Sequence, residues 1–98
     1  MCRTKIFLII LAAVTKETEI SSAEITSGCR RAEVVDARCI LVHFLFEKGL
    51  NASEISKLIN VSPHSVRRLH KLFDLRVKLH GNLIRQNADA IRTKLEHI

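Results

Sequence analysis

Apolar residues recur along this 98-residue chain at intervals of three and four, the spacing that places them on one face of an α-helix. The middle of the chain shows the pattern best, where a stripe steps by four, three and four residues. That stripe consists of Val35, Cys39, Val42 and Phe46, and it is widened by Ile40, Leu41 and Leu45. It predicts a long helix over about Ala32–Lys48, ended by Gly49 just past the last turn.

The N-terminal apolar run is denser than one helix face requires. Nine consecutive apolar residues, Ile6–Val14, predict a first helix over about Thr4–Thr15, before the polar break at residues 16–19. A helix stripe needs only three or four apolar residues in two turns. The additional apolar residues need a second protein surface to cover them. We therefore expect this helix to be a candidate homodimer surface.

The same segment also matches the charged and apolar parts of a secretory signal, because Arg3 and Lys5 precede it. It is too short to cross a bilayer, which takes about 20 residues. We therefore expect a retained structural helix, no membrane partner and a cytoplasmic protein. The three cysteines agree, since an odd number outside any CxxC motif argues against a disulfide framework.

Capping residues predict the helix boundaries further along. Ser21 has capping-box spacing to Glu24, at the start of a short helix over about Ser22–Thr26. Asn51 has the same spacing to Glu54 and opens a helix that ends near residue 59.

Two more helices complete the chain. Ser62 precedes Pro63, a favoured first helical residue, and this helix can run to Leu79 before His80-Gly81 ends it. The last helix starts at Asn82 and has apolar residues on one face at Ile84, Ala88, Ile91 and Leu95. With only three glycines and one proline, the sequence predicts an all-α, compact five-helix bundle that forms a single domain over residues 1–98.

The segment Ala52–Leu79 has the turn chemistry of a helix-turn-helix. Such a motif needs a small residue where its helices cross, a turn residue that tolerates left-handed backbone, an apolar turn residue, an N-cap and an inward anchor. Ser56, Asn60, Val61, Ser62 and Val66 meet these five needs in order.

The second helix of this segment has two distinct faces. At about 100° per residue, Val66, Leu69 and Phe73 share one arc. The opposite arc carries His64, Arg67, Arg68 and Lys71. A helix that enters the major groove of DNA needs this arrangement, with an anchored inner face and long donors on its first turns.

Charge is concentrated in the same helix. Residues 62–80 hold five Lys or Arg and one Asp, a net of +4 out of +6 for the whole chain. A charge run is usually just a solvated face, but together with the turn chemistry this one favours a DNA surface. The expected contacts with double-stranded DNA are Arg30, Arg31, Ser62, His64, Ser65, Arg67, Arg68, Lys71 and Arg76.

Three stretches of the chain resemble the C-terminal DNA-binding domain of the bacterial replication initiator DnaA. They are CRRAEVVDARCILVHFLFEKGL with the helices before it, NASEISKLIN, and NLIRQNADAIRTKL. The resemblance implies a Trp-repressor-like fold and sequence-specific DNA binding by a small regulator or replication-accessory protein. No Gly-rich GKS or GKT phosphate loop occurs, so we expect no ATPase module.

Other functions fit the sequence less well. Cys39 and His43 lie one turn apart, but two ligands are too few for a metal site. Cys29 has neighbouring arginines but no partnering base, so we expect no enzyme, no metal and no cofactor. The absence of Trp and Tyr argues against a base-stacking RNA platform. The alternative left open is a helical protein-interaction module, secreted if the N-terminal segment is a signal.

Overall fold

Six α-helices and no strands make up the part of the chain that the structure describes, residues 2–80 and 82–96 of a computed structural model. The expected all-α class is confirmed, whereas the expected count of five helices is wrong. The boundaries predicted from the sequence define six helical segments. The number five was therefore wrong, although the six segments were placed correctly. The helices are α1 (Arg3–Thr18), α2 (Ser22–Ile25), α3 (Ala32–Glu47), α4 (Ala52–Ile59), α5 (Pro63–His80) and α6 (Asn82–Leu95).

Helix α1 continues one turn beyond its predicted end at Thr15. Tertiary contacts stabilise that turn, because Glu17 forms an ion pair with Lys94 of α6. The Thr18 hydroxyl also donates a hydrogen bond to the Val14 carbonyl, 2.7 Å away. The helix ends at Glu19, whose φ of 60° lies in the left-handed region.

Helix α3 is the centre of the bundle and contacts all five other helices. The predicted one-sided stripe is therefore wrong in part, because Val35 and Phe46 are only half-buried. Apolar side chains on several faces of α3 are buried instead, namely Val34, Ala37, Cys39, Ile40, Leu41, Val42, Phe44 and Leu45. A helix enclosed on most sides has no single hydrophobic stripe for periodicity to detect.

The apolar run of α1 is covered mainly by the chain itself, because α1 packs against both α3 and α6. Phe7, Ile10, Ala13 and Val14 are buried in the core. Leu8 is 56% exposed, so it is the large apolar side chain that this packing leaves open. The homodimer remains a prediction, with less apolar surface on α1 than the sequence suggested.

The predicted boundary at Gly81 lies outside the described residues. The ends of α3 and α4 match their predictions, with Gly49 at a φ of 93° and Asn60 at 59°. No helix in residues 2–80 and 82–96 is both long enough and apolar enough to span a membrane.

Candidate nucleic-acid interface

The connection between α4 and α5 is three residues long, and side-chain caps define both of its helices. Asn51 Oδ1 accepts a hydrogen bond from the Glu54 amide at 2.9 Å, and Glu54 Oε1 accepts one from the Asn51 amide at 3.1 Å. These two bonds form the predicted capping box. The direction in which α4 begins is therefore fixed by local chemistry.

The turn itself also follows the prediction. Asn60 takes the left-handed conformation, with φ 59° and ψ 45°. Val61 is half-buried and packs against the core. Ser62 Oγ accepts a hydrogen bond from the Ser65 amide at 3.1 Å and caps α5, whose first residue is Pro63. Ser62 also donates to the Ser65 hydroxyl, which leaves the Ser65 proton free to donate elsewhere.

The two faces of α5 are those predicted. Val66, Leu69 and Phe73 are buried, with exposures of 0, 9 and 7%. The side chains of His64, Arg67, Arg68 and Lys71 are exposed. None of these four forms an ion pair or hydrogen bond with a described residue. The first half of α5 therefore presents three unneutralised cations and one imidazole to solvent.

Aromatic stacking holds α5 against α3. The His43 ring lies 4.0 Å from the Phe73 ring, centroid to centroid, at an interplanar angle of 8°. His70 lies against Phe46 at 4.4 Å. Burial lowers the pKa of His43, and nearby Arg92 lowers it further, against an opposing effect of Glu47. With its pKa below the ordinary value of about 6.5, His43 is mostly neutral at pH 7.

Arg76 does not join the other predicted contacts. It forms an ion pair with Asp36 of α3, and both side chains are mostly buried, with exposures of 20 and 23%. Its Nε is buried without a hydrogen-bond partner among the described residues. The structure therefore gives Arg76 a place in the α3–α5 packing, not on the exposed face of α5.

The two arginines of the loop between α2 and α3 also differ from each other. Arg31 forms ion pairs with Glu24 and Glu33. Hydrogen bonding to Cys29 and the two carboxylates raise its pKa. Arg30 is exposed and forms no ion pair or hydrogen bond with any residue described. Only Arg30 of this pair has a cation that is free to meet a polyanion.

Arg38 shapes this loop, a role that the sequence pattern did not predict. Its side chain is only 7% exposed and donates to four backbone carbonyls. Nε donates to the Ile25 carbonyl at 2.7 Å, and Nη2 donates to those of Ser27 at 2.8 Å, Cys29 at 3.1 Å and Glu24 at 3.3 Å. A lone arginine inside the apolar run of a central helix was the available signal, because a buried cation must find acceptors.

This loop geometry places Arg30 beside α5. Arg30 and Arg68 line the same surface groove, of about 310 Å³, together with Ser65. The free loop arginine and the exposed face of α5 thus form one continuous basic surface. We refer to Arg30, His64, Arg67, Arg68 and Lys71 as the basic face.

Cys39 and His43, which lie one turn apart on α3, both occupy packed positions. Burial raises the pKa of the Cys39 thiol to about 11, so this group is protonated and apolar at neutral pH. His43 stacks on Phe73 and faces Glu47. Within residues 2–80 and 82–96, no three His, Cys, Asp or Glu side chains converge as metal ligands would.

Comparison with models of known protein families finds no match for this chain. Searches of curated proteins and of solved structures find no match either. The arrangement of the described residues is therefore the basis on which function can be inferred.

Proposed function

We propose that this protein binds double-stranded DNA through a helix-turn-helix formed by α4 and α5. The observation that supports this most directly is the basic face, which lies on the solvent side of a helix firmly anchored by Val66 and Phe73. An α-helix fits the major groove, and arginines on its first turns can reach guanine edges. In this proposal Arg67 and Arg68 read bases, with His64 and Ser65 beside them at the start of α5.

Phosphate contacts supply most of the affinity in this proposal. Arg30 reaches one strand from the loop, while Lys71 reaches the backbone further along α5. Counting Arg30, Arg67, Arg68 and Lys71 as four neutralised phosphates gives a log–log salt dependence with a slope of about −3.6. Arg31 and Arg76 are left out of this count because carboxylates already neutralise them.

The resemblance to the C-terminal domain of the DnaA initiator supports the same function. In that interpretation the bundle is Trp-repressor-like and serves a small regulator or replication-accessory protein. We place it in the cytoplasm, where DNA and a reducing environment suit a chain whose Cys2, Cys29 and Cys39 are all free thiols.

Fluorescence anisotropy with a labelled random duplex, measured over a range of salt concentrations, tests this proposal. The variant R67Q/R68Q/K71Q should bind at least about 100-fold more weakly at low salt and show a much shallower salt slope. The control K5Q/K16Q/R85Q removes an equal number of positive charges, from exposed positions on α1 and α6. It should retain most of the affinity. Equal losses in both variants, or no duplex binding by the wild type, would refute the proposal.

A second candidate function is a protein-interaction module. Leu75 and Leu79 lie one turn apart on α5 and are 48 and 69% exposed. At about 100° per residue they continue the same side of α5 as the basic face. An apolar patch of this kind favours a protein partner over DNA. The random-duplex experiment separates the two functions, because a protein-interaction module would not bind the duplex.

A further inference from the structure

A groove lies between the α2–α3 loop and α5, and its walls carry three guanidinium groups. Arg30 and Arg38 line one side and Arg68 lines the other, around a volume of about 310 Å³. This volume is near the lower end for small-molecule sites, which begins at about 300 Å³. Its lining contains no Asp or Glu. The groove is therefore a concentrated positive site that no lining carboxylate neutralises.

Arg38 contributes a buried guanidinium group to this site, held in place by backbone carbonyls. Its side chain is 93% buried, since only 7% of its surface is exposed. It has backbone carbonyls as its hydrogen-bond partners and forms no ion pair with a described residue. Carbonyl dipoles satisfy its Nε and Nη2 donors but leave a net positive charge in a desolvated position. An anion in the groove would supply the missing countercharge.

Four apolar side chains also line the groove, and we refer to them as its floor. Val35 of α3, Val61 of the turn, and Leu69 and Leu72 of α5 line it. Three of these side chains are half-buried, and Leu69 is almost fully buried. Phosphate groups of DNA gain nothing from an apolar floor, because every oxygen of a phosphate prefers water or donors. The floor instead suits a ligand with a hydrocarbon body.

We propose that this groove binds a small carboxylate that carries an apolar body. The carboxylate would accept hydrogen bonds from Arg30 and Arg68, whose fork-shaped guanidinium groups match its two oxygens. The Ser65 hydroxyl, which has a free proton, supplies a further donor at the same wall. The apolar body would cover Val61 and Leu72. This inference does not rest on DNA binding, although Arg30 and Arg68 also belong to the basic face.

The experiment is a titration of the isotope-labelled protein with phenylacetate, without DNA, followed by amide chemical shifts. Phenylacetate should bind with a Kd in the millimolar range and should shift the amides of residues 27–30, 61–65 and 68–72. Phenylacetamide, which has the same body without the charge, should bind at least about tenfold more weakly. Inorganic phosphate, which has the charge without the body, should also bind at least about tenfold more weakly.

Variants locate the site. R30Q and R68Q should each weaken phenylacetate binding about tenfold, because each removes one charge-assisted contact. The control R85Q removes an exposed arginine from α6 and should leave the Kd unchanged. Amide spectra of each variant without ligand verify that it is folded. Equal binding of phosphate and phenylacetate, shifts confined to other residues, or an R85Q effect equal to that of R68Q would overturn the proposal.

The same measurements separate this inference from the proposed function. A protein that binds phenylacetate but no duplex refutes DNA binding and leaves the groove site standing. A protein that binds duplex but not phenylacetate refutes the groove site alone.

Discussion

The imidazole ring of His43 on α3 lies parallel to the phenyl ring of Phe73 on α5, with 4.0 Å between their centroids. This stack joins the central helix of the bundle to the helix that carries the basic face. Since burial lowers the pKa of His43, a proton on this ring opposes the packing that orients α5.

Stability should consequently depend on pH. The folded-state pKa of His43 lies below its unfolded value of about 6.5, so the folded state binds fewer protons than the unfolded state does. The contribution of neutral His43 to the free energy of unfolding is fully present above pH 7 and is lost as the pH falls below about 6.5. Urea unfolding at pH 7.5 and at pH 5.5 measures it. H43F keeps an aromatic stack on Phe73. It should reduce the difference between the free energies of unfolding measured at the two pH values.

A matched control for this prediction is H64Q, because His64 is exposed at the start of α5 and forms no hydrogen bond, ion pair or ring contact with a described residue. It should leave the pH dependence as it is. The charged or titratable neighbours Glu47, Arg92, His70 and Asp74 also act on His43. An unchanged pH dependence in H43F would assign the effect to one of those neighbours instead.

The Asp36–Arg76 pair should behave as a structural unit. D36A leaves the mostly buried guanidinium of Arg76 without its carboxylate and should lower the free energy of unfolding by about 1–3 kcal/mol. The double variant D36A/R76L should recover much of that loss, because neither buried charge remains. The exposed pair of Glu33 and Arg31, 3.7 Å apart, provides the control E33A, with an expected loss below about 1 kcal/mol. Purely additive effects of D36A and R76L in urea unfolding would contradict the coupling.

Arg67, Arg68 and Lys71 should differ in kind as well as in strength. After selection of a preferred duplex from a random pool, either R67Q or R68Q should lose about 1–3 kcal/mol on that duplex and relax its base preference. K71Q should weaken preferred and random duplexes by the same factor and reduce the salt slope by about 0.9. If all three substitutions lowered both affinities equally, α5 would not read bases directly.

Backbone conformation at Asn60 gives a prediction about the turn. N60V places a β-branched residue at a φ of 59° and should lower the free energy of unfolding by about 1–2 kcal/mol. N60G should stay within about 1 kcal/mol of the wild type, because glycine adopts this conformation without strain. N87V, in the interior of α6, introduces the same side-chain change at an ordinary helical position. A loss in N87V as large as in N60V would contradict the role of the left-handed turn.

Substitutions at buried and exposed positions of helix α1 should differ in their effect on stability. I10A should cost about 2–5 kcal/mol, because Ile10 is fully buried. L8A should change stability by less than about 0.5 kcal/mol, since more than half of Leu8 is exposed. In the homodimer predicted from the sequence, Leu8 is the exposed large apolar side chain of α1, so L8K should convert the dimer to monomers in sedimentation equilibrium. A wild-type chain that is already monomeric at micromolar concentration would contradict the homodimer.

Local chemistry made the α4–α5 segment predictable. The capping box at Asn51, the left-handed turn at Asn60 and the cap at Ser62 each depend on residues within a few positions of one another. The alternation of buried and exposed positions on α5 also followed from periodicity, because one face of that helix meets water.

The features that escaped prediction depend on distant parts of the chain. Arg38 finds its acceptors 9 to 14 residues away, and Arg76 meets Asp36 across 40 residues. The last turn of α1 pairs with α6 across 77 residues. Sequence spacing does not identify such partners, so the sequence alone does not distinguish an arginine on the exposed face of α5 from one in the helix packing.

The position of Arg38 in the chain also has a consequence for biosynthesis. The four carbonyls that it holds belong to residues that leave the ribosome before Arg38 does. During synthesis the loop therefore lacks these four hydrogen bonds until the first half of α3 has emerged. A residue synthesised later therefore orders a loop synthesised earlier. A nascent polypeptide halted before residue 38 would lack this ordered wall of the groove.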